Sequence, residues 1–128
     1  MSRILIVEDD EVVQSIYEAL LTKEGYRVEV ASDGQEALRK ASAKEPDLIL
    51  LDMLMPSMSG LEFLRAYDLR NQHPHVRVIA FSNVDRPELI RDATALGASR
   101  YMTKFNFSPK AMIGLIHDTL ESKDHARA

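Results

Sequence analysis

Residues 48–52, Leu48-Ile49-Leu50-Leu51-Asp52, place four consecutive aliphatic side chains directly ahead of a carboxylate. A run that is apolar at every position, with no alternation, suits a strand covered on both faces. Shorter or similar runs lie at residues 4–7, 28–31, 76–81 and 98–102. Helical patterns fill the spaces between them. Val13, Ile16, Leu20 and Leu21 follow Asp9-Asp10 at helical spacing, and Gly25 is placed to end that helix. Asp33 and Glu36 open a second helix, ahead of Ala37, Leu38 and Ala41. Ser59-Gly60-Leu61-Glu62 is a capping box, and Asp85-Arg86-Pro87-Glu88 a similar start with Gly97 as its stop. Ser108-Pro109 reads as an N-cap followed by proline at the first helical position, with Met112, Ile113, Ile116 and Leu120 turned toward a core. Five β/α units in succession predict a parallel sheet with helices on both faces, joined by right-handed crossovers.

The 128 residues suffice for one domain with its own core. Residues 1–121 are expected to form it, and residues 122–128 are a polar tail expected to fray. The absence of cysteine excludes a disulfide framework, a thiolate zinc site and a cysteine nucleophile. Sixteen Lys and Arg against twenty Asp and Glu leave a net charge of −4, which gives no general attraction to nucleic acid or to an anionic membrane surface. The apolar runs are too short to span a bilayer, and the N-terminus lacks the long apolar stretch of a secretory signal. The expected location is the cytoplasm.

In open α/β sheets, function gathers at the carboxyl ends of the strands. Glu8, Asp9 and Asp10 follow the first run, Asp52 the third, Ser82 the fourth and Lys104 the fifth. Clustered carboxylates repel one another, by about 4 kcal/mol for two charges ~4 Å apart at an effective dielectric near 20. Protonation or a bound cation offsets this. An all-oxygen, water-exposed site with no neighbouring histidine suits Mg²⁺ better than zinc or copper. With Mg²⁺ in place, Asp52 is a candidate nucleophile that forms an aspartyl phosphate. Lys104 and the Ser82 hydroxyl would contact further phosphoryl oxygens, since phosphoryl transfer depends on positioning and charge neutralisation.

With these residues the sequence resembles a response-regulator receiver domain of bacterial two-component signalling, of the CheY-like family. The resemblance runs from about Arg3 to Leu120. It rests on Ile4-Leu5-Ile6-Val7-Glu8-Asp9-Asp10, Leu51-Asp52-Met53-Leu54-Met55-Pro56-Ser57-Met58-Ser59-Gly60, Ala80-Phe81-Ser82 and Tyr101-Met102-Thr103-Lys104, in order and at β/α spacing. It implies a flavodoxin-like (βα)5 three-layer sandwich with strand order 2-1-3-4-5. It also implies that Asp52 is the phosphoacceptor and that Glu8, Asp9 and the Leu54 backbone carbonyl hold Mg²⁺ with it. Ser82 is then the switch hydroxyl, Tyr101 the coupled aromatic and Lys104 the partner of the phosphoryl oxygens. The implied donor is the phosphohistidine of a sensor histidine kinase or a histidine phosphotransfer protein, docked at the first helix around Val12, Val13 and Ile16. The implied recipient of the signal is a protein target or an output domain outside these 128 residues. Such a domain catalyses only its own modification and is a switch rather than an ordinary enzyme.

Three positions depart from the family pattern. Phe105 stands where proline usually follows the lysine, and the ~3–4 kcal/mol cost of a non-proline cis bond favours a trans Lys104–Phe105 peptide. Asn83 replaces a small residue after Ser82. Leu54 and Val84 are apolar where some relatives carry polar groups, and neither side chain orients water, which predicts slow self-dephosphorylation.

Each residue also has a plainer reading. Asp10 suits a helix N-cap. Met53, Met55 and Met58 suit core and loop packing. Phe105 and Phe107 suit packing under the last loop. His73 and His75 flank Pro74 with no acidic neighbour in sequence, which suits a solvated loop, and His117 suits an exposed helix face. A phosphohydrolase would carry a second Asp two residues after Asp52, where Leu54 stands. A nucleotide-binding module would show a glycine-rich phosphate loop, and none follows any strand. A receiver-like module that binds partners without phosphorylation is the remaining alternative.

Overall fold

The computed structural model describes residues 2–82, 86–103 and 108–121. Strands β1 (Arg3–Val7), β2 (Arg27–Ala31), β3 (Leu48–Asp52), β4 (Arg77–Ser82) and β5 (Arg100–Thr103) form one parallel sheet in the order β2-β1-β3-β4-β5. The helices are α1 (Glu11–Lys23), α2 (Gly34–Ala43), α3 (Gly60–Tyr67), α4 (Leu69–Gln72), α5 (Pro87–Ala95) and α6 (Pro109–Glu121). The expected flavodoxin-like topology is therefore the observed one.

Side chains alternate along each strand into two cores. Leu5, Val7, Ile49, Leu51, Val78 and Ala80 pack on one face against Ala37, Phe63, Leu64, Leu89 and Ala93 of α2, α3 and α5. Ile4, Ile6, Leu48, Leu50, Ile79 and Phe81 pack on the other against Leu21, Met112 and Ile116 of α1 and α6. All five residues of β3 are buried, which explains its unbroken apolar run.

The helix starts follow the cap chemistry of the sequence. The Asp10 carboxylate accepts from the N–H groups of Val12 at 2.9 Å and Val13 at 3.3 Å. Asp33 accepts from Glu36 N at 2.8 Å. Ser59 and Glu62 complete a reciprocal capping box, at 2.9 and 3.2 Å. Ser108 Oγ accepts from Ala111 N at 3.1 Å, with Pro109 as the first helical residue. For α5 the cap position is Arg86, whose guanidinium carries no acceptor and makes no side-chain cap bond, and Pro87 opens the first turn. Asp85, the expected start, lies outside the described residues.

The structure adds one feature to the expected fold and corrects one reading. The third β/α unit carries two helical segments: Asp68 adopts the left-handed conformation (φ 55°, ψ 55°), ends α3 and precedes the single turn of α4. Its carboxylate accepts from Asn71 Nδ2 at 2.9 Å, which supports the break locally. His73 lies in the loop after α4, as expected, but its side chain is partly buried and partnered rather than solvated. Its Nδ1 lies 2.6 Å from Glu45 Oε2, and its ring stacks on Tyr67 with centroids 3.8 Å apart. Glu45 is distant in sequence and is brought alongside by the α2–β3 connection. His75 and His117 are exposed, as expected, and Met53 and Met55 are buried in the core with Met58 packed against it.

Candidate functional site

The acidic residues converge where β1 and β3 end side by side. Val7 pairs with Leu51 in the β1–β3 register, so Glu8 and Asp52 emerge from adjacent strands at the same height. Glu8, Asp9 and Asp52 each present a carboxylate oxygen, and these oxygens all lie within 4.8 Å of one another. Glu8 and Asp52 are buried and Asp9 is exposed, so the cluster opens to solvent on one side.

Backbone bonds hold the carboxylates in place. Glu8 N donates to Ala31 O at 3.0 Å, and Glu8 Oε2 accepts from Asp10 N at 3.3 Å. Gln14 Nε2 donates to the Glu8 carbonyl and to Ser32 Oγ, tying α1 to both β1 and the β2–α2 loop. Leu54 N donates to Asp52 Oδ1 at 3.1 Å, which fixes the acceptor's rotamer from the loop that follows it. Met53 N donates to Phe81 O at 2.9 Å, and Gly60 N to Met53 O at 3.0 Å. A Cβ at Gly60 would lie 2.7 Å from Met53 Cα, so only glycine lets α3 begin this close to the loop.

Ser82 is buried at the end of β4, next to Phe81, the register partner of Asp52. Tyr101 is half-buried on β5 opposite Ala80 and packs against the α5-side core. Lys104, Asn83, Val84, Phe105 and Phe107 lie outside the described residues, as does the Lys104–Phe105 peptide. The roles of Gln14, Phe81 and Gly60 escaped the sequence reading. Gln14 and Phe81 act through partners distant in sequence, and Gly60 was legible only as part of the capping box.

The donor set fits a hard divalent ion: three carboxylates, no nitrogen or sulfur, and one open side for water and a phosphoryl group. The same crowding is unfavourable without a cation.

Fold and site together define an α/β domain with an acidic, cation-ready pocket at the carboxyl ends of a parallel sheet. Residues 4–117 match the response regulator receiver domain, and the chain belongs to that family, the receiver of two-component signalling. It is 38% identical over 108 residues to the alkaline phosphatase synthesis transcriptional regulatory protein PhoP of Bacillus subtilis, covering 84% of this chain and 44% of that protein. It is 32% identical over 102 residues to sporulation initiation phosphotransferase F of the same organism, covering 80% and 81%. Among solved structures it resembles Vibrio cholerae chemotaxis protein CheY4, with a TM-score of 0.84, 31% identity, and coverage of 91% of this chain and 97% of that one. The chain spans less than half the length of several of its regulatory relatives. Among the described residues, no helix is long and apolar enough to cross a membrane.

Proposed function

We propose that Asp52 is the phosphoacceptor, and that Glu8, Asp9, Asp52 and the Leu54 backbone carbonyl hold Mg²⁺. The observation that carries this reading is the meeting of three carboxylates from two strand ends within 4.8 Å, in a chain that belongs to the receiver family. The phosphotransferase relative, matched over most of its own length, supports phosphoryl transfer as the chemistry of the site.

An Asp52 oxygen attacks phosphorus as the P–N bond of a phosphohistidine donor breaks. The bonding pair returns to the imidazole nitrogen, and the ring takes up a proton from solvent. Mg²⁺ held by Glu8, Asp9 and Asp52 would supply positive charge to offset that of the incoming phosphoryl group. Leu54 N–H orients the acceptor carboxylate. Ser82 and Lys104 each meet a phosphoryl oxygen, and Tyr101 follows the movement of Ser82. The added charge of about −2 biases a two-state equilibrium, as in other phosphorylation switches. The protein is thus a switch that modifies itself and releases no product, acting in the cytoplasm. The receiver occupies residues 1–121, and residues 122–128 form its polar tail.

The donor is a sensor histidine kinase or a histidine phosphotransfer protein. Val12 and Ile16, one helical turn apart on α1, are 68% and 49% exposed. Such large exposed apolar side chains, on the helix that begins directly after Glu8, Asp9 and Asp10, suit a partner helix. The recipient is a protein target or an output domain beyond this chain, as in relatives that are transcriptional regulators.

The test is incubation with Mg²⁺ and acetyl phosphate followed by intact-mass measurement. Wild type gains one phosphoryl group, and Asp52→Ala gains none. Equal labelling of both proteins, or of neither, contradicts the assignment.

A further inference from the structure

α1 does more than carry the apolar face at Val12 and Ile16. Tyr17, next to Ile16, turns inward and is half-buried against the α1-side core. Its ring meets Phe81 edge to face, with centroids 5.9 Å apart and planes at 61°. Phe81 is fully buried, so this contact is held on the strand side by close packing.

Phe81 occupies the junction of the site. It is the β4 register partner of Asp52. Its carbonyl holds the N–H of Met53, the first residue after Asp52, at 2.9 Å. Leu54, the next residue, holds Asp52 Oδ1 through its own N–H. On the other side, Phe81 is bonded directly to Ser82. A displacement of the Phe81 backbone therefore moves the acceptor loop and Ser82 together. The single aromatic side chain of α1 that bears on Phe81 is positioned to cause or resist it.

We propose that Tyr17 is a positioning residue for phosphoryl transfer: its ring, seated on Phe81, sets the end of β4 and through it the geometry of Asp52 and Ser82. A partner that grips Val12 and Ile16 acts on the same helix and so reaches the acceptor through this aromatic pair. The inference rests on the reading of Asp52 as the phosphoacceptor.

The test compares wild type, Tyr17→Leu and Tyr17→Phe, with initial labelling rates measured at saturating Mg²⁺ over a range of acetyl phosphate, which needs no docked protein. Aromatic pairs of this kind correspond to roughly 3- to 10-fold in rate. Tyr17→Leu should lower the maximal rate by about that factor, with little change in the acetyl phosphate concentration giving half the maximal rate, and Tyr17→Phe should restore it. A ring that is merely structural would lower the thermal midpoint of Tyr17→Leu and leave its rate, measured well below that midpoint, unchanged. That outcome, or failure of Tyr17→Phe to rescue, overturns the proposal. Should Tyr17→Leu not fold, ¹⁹F NMR of wild type labelled with fluorotyrosine decides, with the Tyr17 signal assigned from Tyr17→Phe. Addition of Mg²⁺ and beryllofluoride should shift that signal, and an unmoved signal contradicts the proposal. If wild type itself is not labelled by acetyl phosphate, the Asp52 reading has failed, which is a result distinct from any difference among the Tyr17 variants.

Discussion

Met53 N–H donates to Phe81 O at 2.9 Å, so the residue that follows Asp52 is anchored to the residue that precedes Ser82. The proposed acceptor Asp52 and the proposed switch residue Ser82 are thereby coupled through one backbone hydrogen bond between β3 and β4. A phosphoryl group on Asp52 has no need of a long relay to reach Ser82, because β3 and β4 already present both at the same sheet edge.

The close approach of α3 to this junction makes Gly60 a sensitive position. A methyl group there would meet Met53 Sδ at 2.5 Å and Met53 Cα at 2.7 Å, and the backbone contact is relieved only by moving the loop. Gly60→Ala should destabilise by about 1–3 kcal/mol, as overpacking does, and slow acetyl phosphate labelling. Chemical denaturation and labelling rates check both effects.

The carboxylate cluster predicts opposite effects with and without metal. Asp9→Asn removes a charge that repels Glu8 and Asp52, so the metal-free protein should melt at a higher temperature. The same variant should bind Mg²⁺ on the order of tenfold more weakly, and Mg²⁺ should raise its melting temperature less. Thermal scans with EDTA and across a Mg²⁺ series measure both.

Leu54 stands two residues past Asp52, its side chain 44% exposed and unable to orient water. The aspartyl phosphate should persist for many minutes with Mg²⁺ present. Decay of the phosphorylated mass over time measures this, and loss within seconds contradicts it.

Exposed Val12 and Ile16 should matter to a protein donor and not to a small one. Ile16→Glu should slow transfer from a phosphohistidine protein by an order of magnitude or more, as central interface anchors do. Labelling by acetyl phosphate should be unchanged. Parallel rates with the two donors separate docking from chemistry.

The far end of the domain carries its own pH dependence. Tyr67 lies between Phe63 and His73 and donates to the Ala41 carbonyl at 3.3 Å. Burial, and then the Glu45 carboxylate, push its hydroxyl well above the usual tyrosine value. The folded state therefore keeps a proton that the unfolded chain releases from about pH 10. This contribution is fully present below pH ~10 and is lost as pH rises further. Tyr67→Phe should be less stable at neutral pH, by about 0.5–1.5 kcal/mol for the lost hydrogen bond, and should lose less stability above pH ~10. Urea midpoints across pH 8–11 (a range of roughly three units around the tyrosine value) test the sign.

The topology was legible because local chemistry and global arrangement agree. The unbroken apolar run of β3 required cover on both faces, and Asp10, Ser59 and Ser108 each announced a helix start that the backbone bonds realise. Glu8, Asp9 and Asp52 were legible as a candidate site because Glu8-Asp9 and Asp52 follow apolar runs, and parallel strands bring such ends to one edge. The rest depended on contacts between distant segments. Asp68 breaks the third helix without a glycine or proline to mark it. His73 meets a carboxylate 28 residues away. Phe81 reads as one more apolar strand residue, and only the register opposite Asp52 gives its carbonyl and ring their place in the site.

Chemical trapping of the modified residue tests the central claim most directly. After exposure to acetyl phosphate and Mg²⁺, the protein is reduced with borohydride, which converts an aspartyl phosphate to homoserine, and digested for peptide mass mapping. Homoserine at position 52, absent when EDTA replaces Mg²⁺, is the predicted result. Homoserine at another aspartate, or none in a protein that remains folded, contradicts the account.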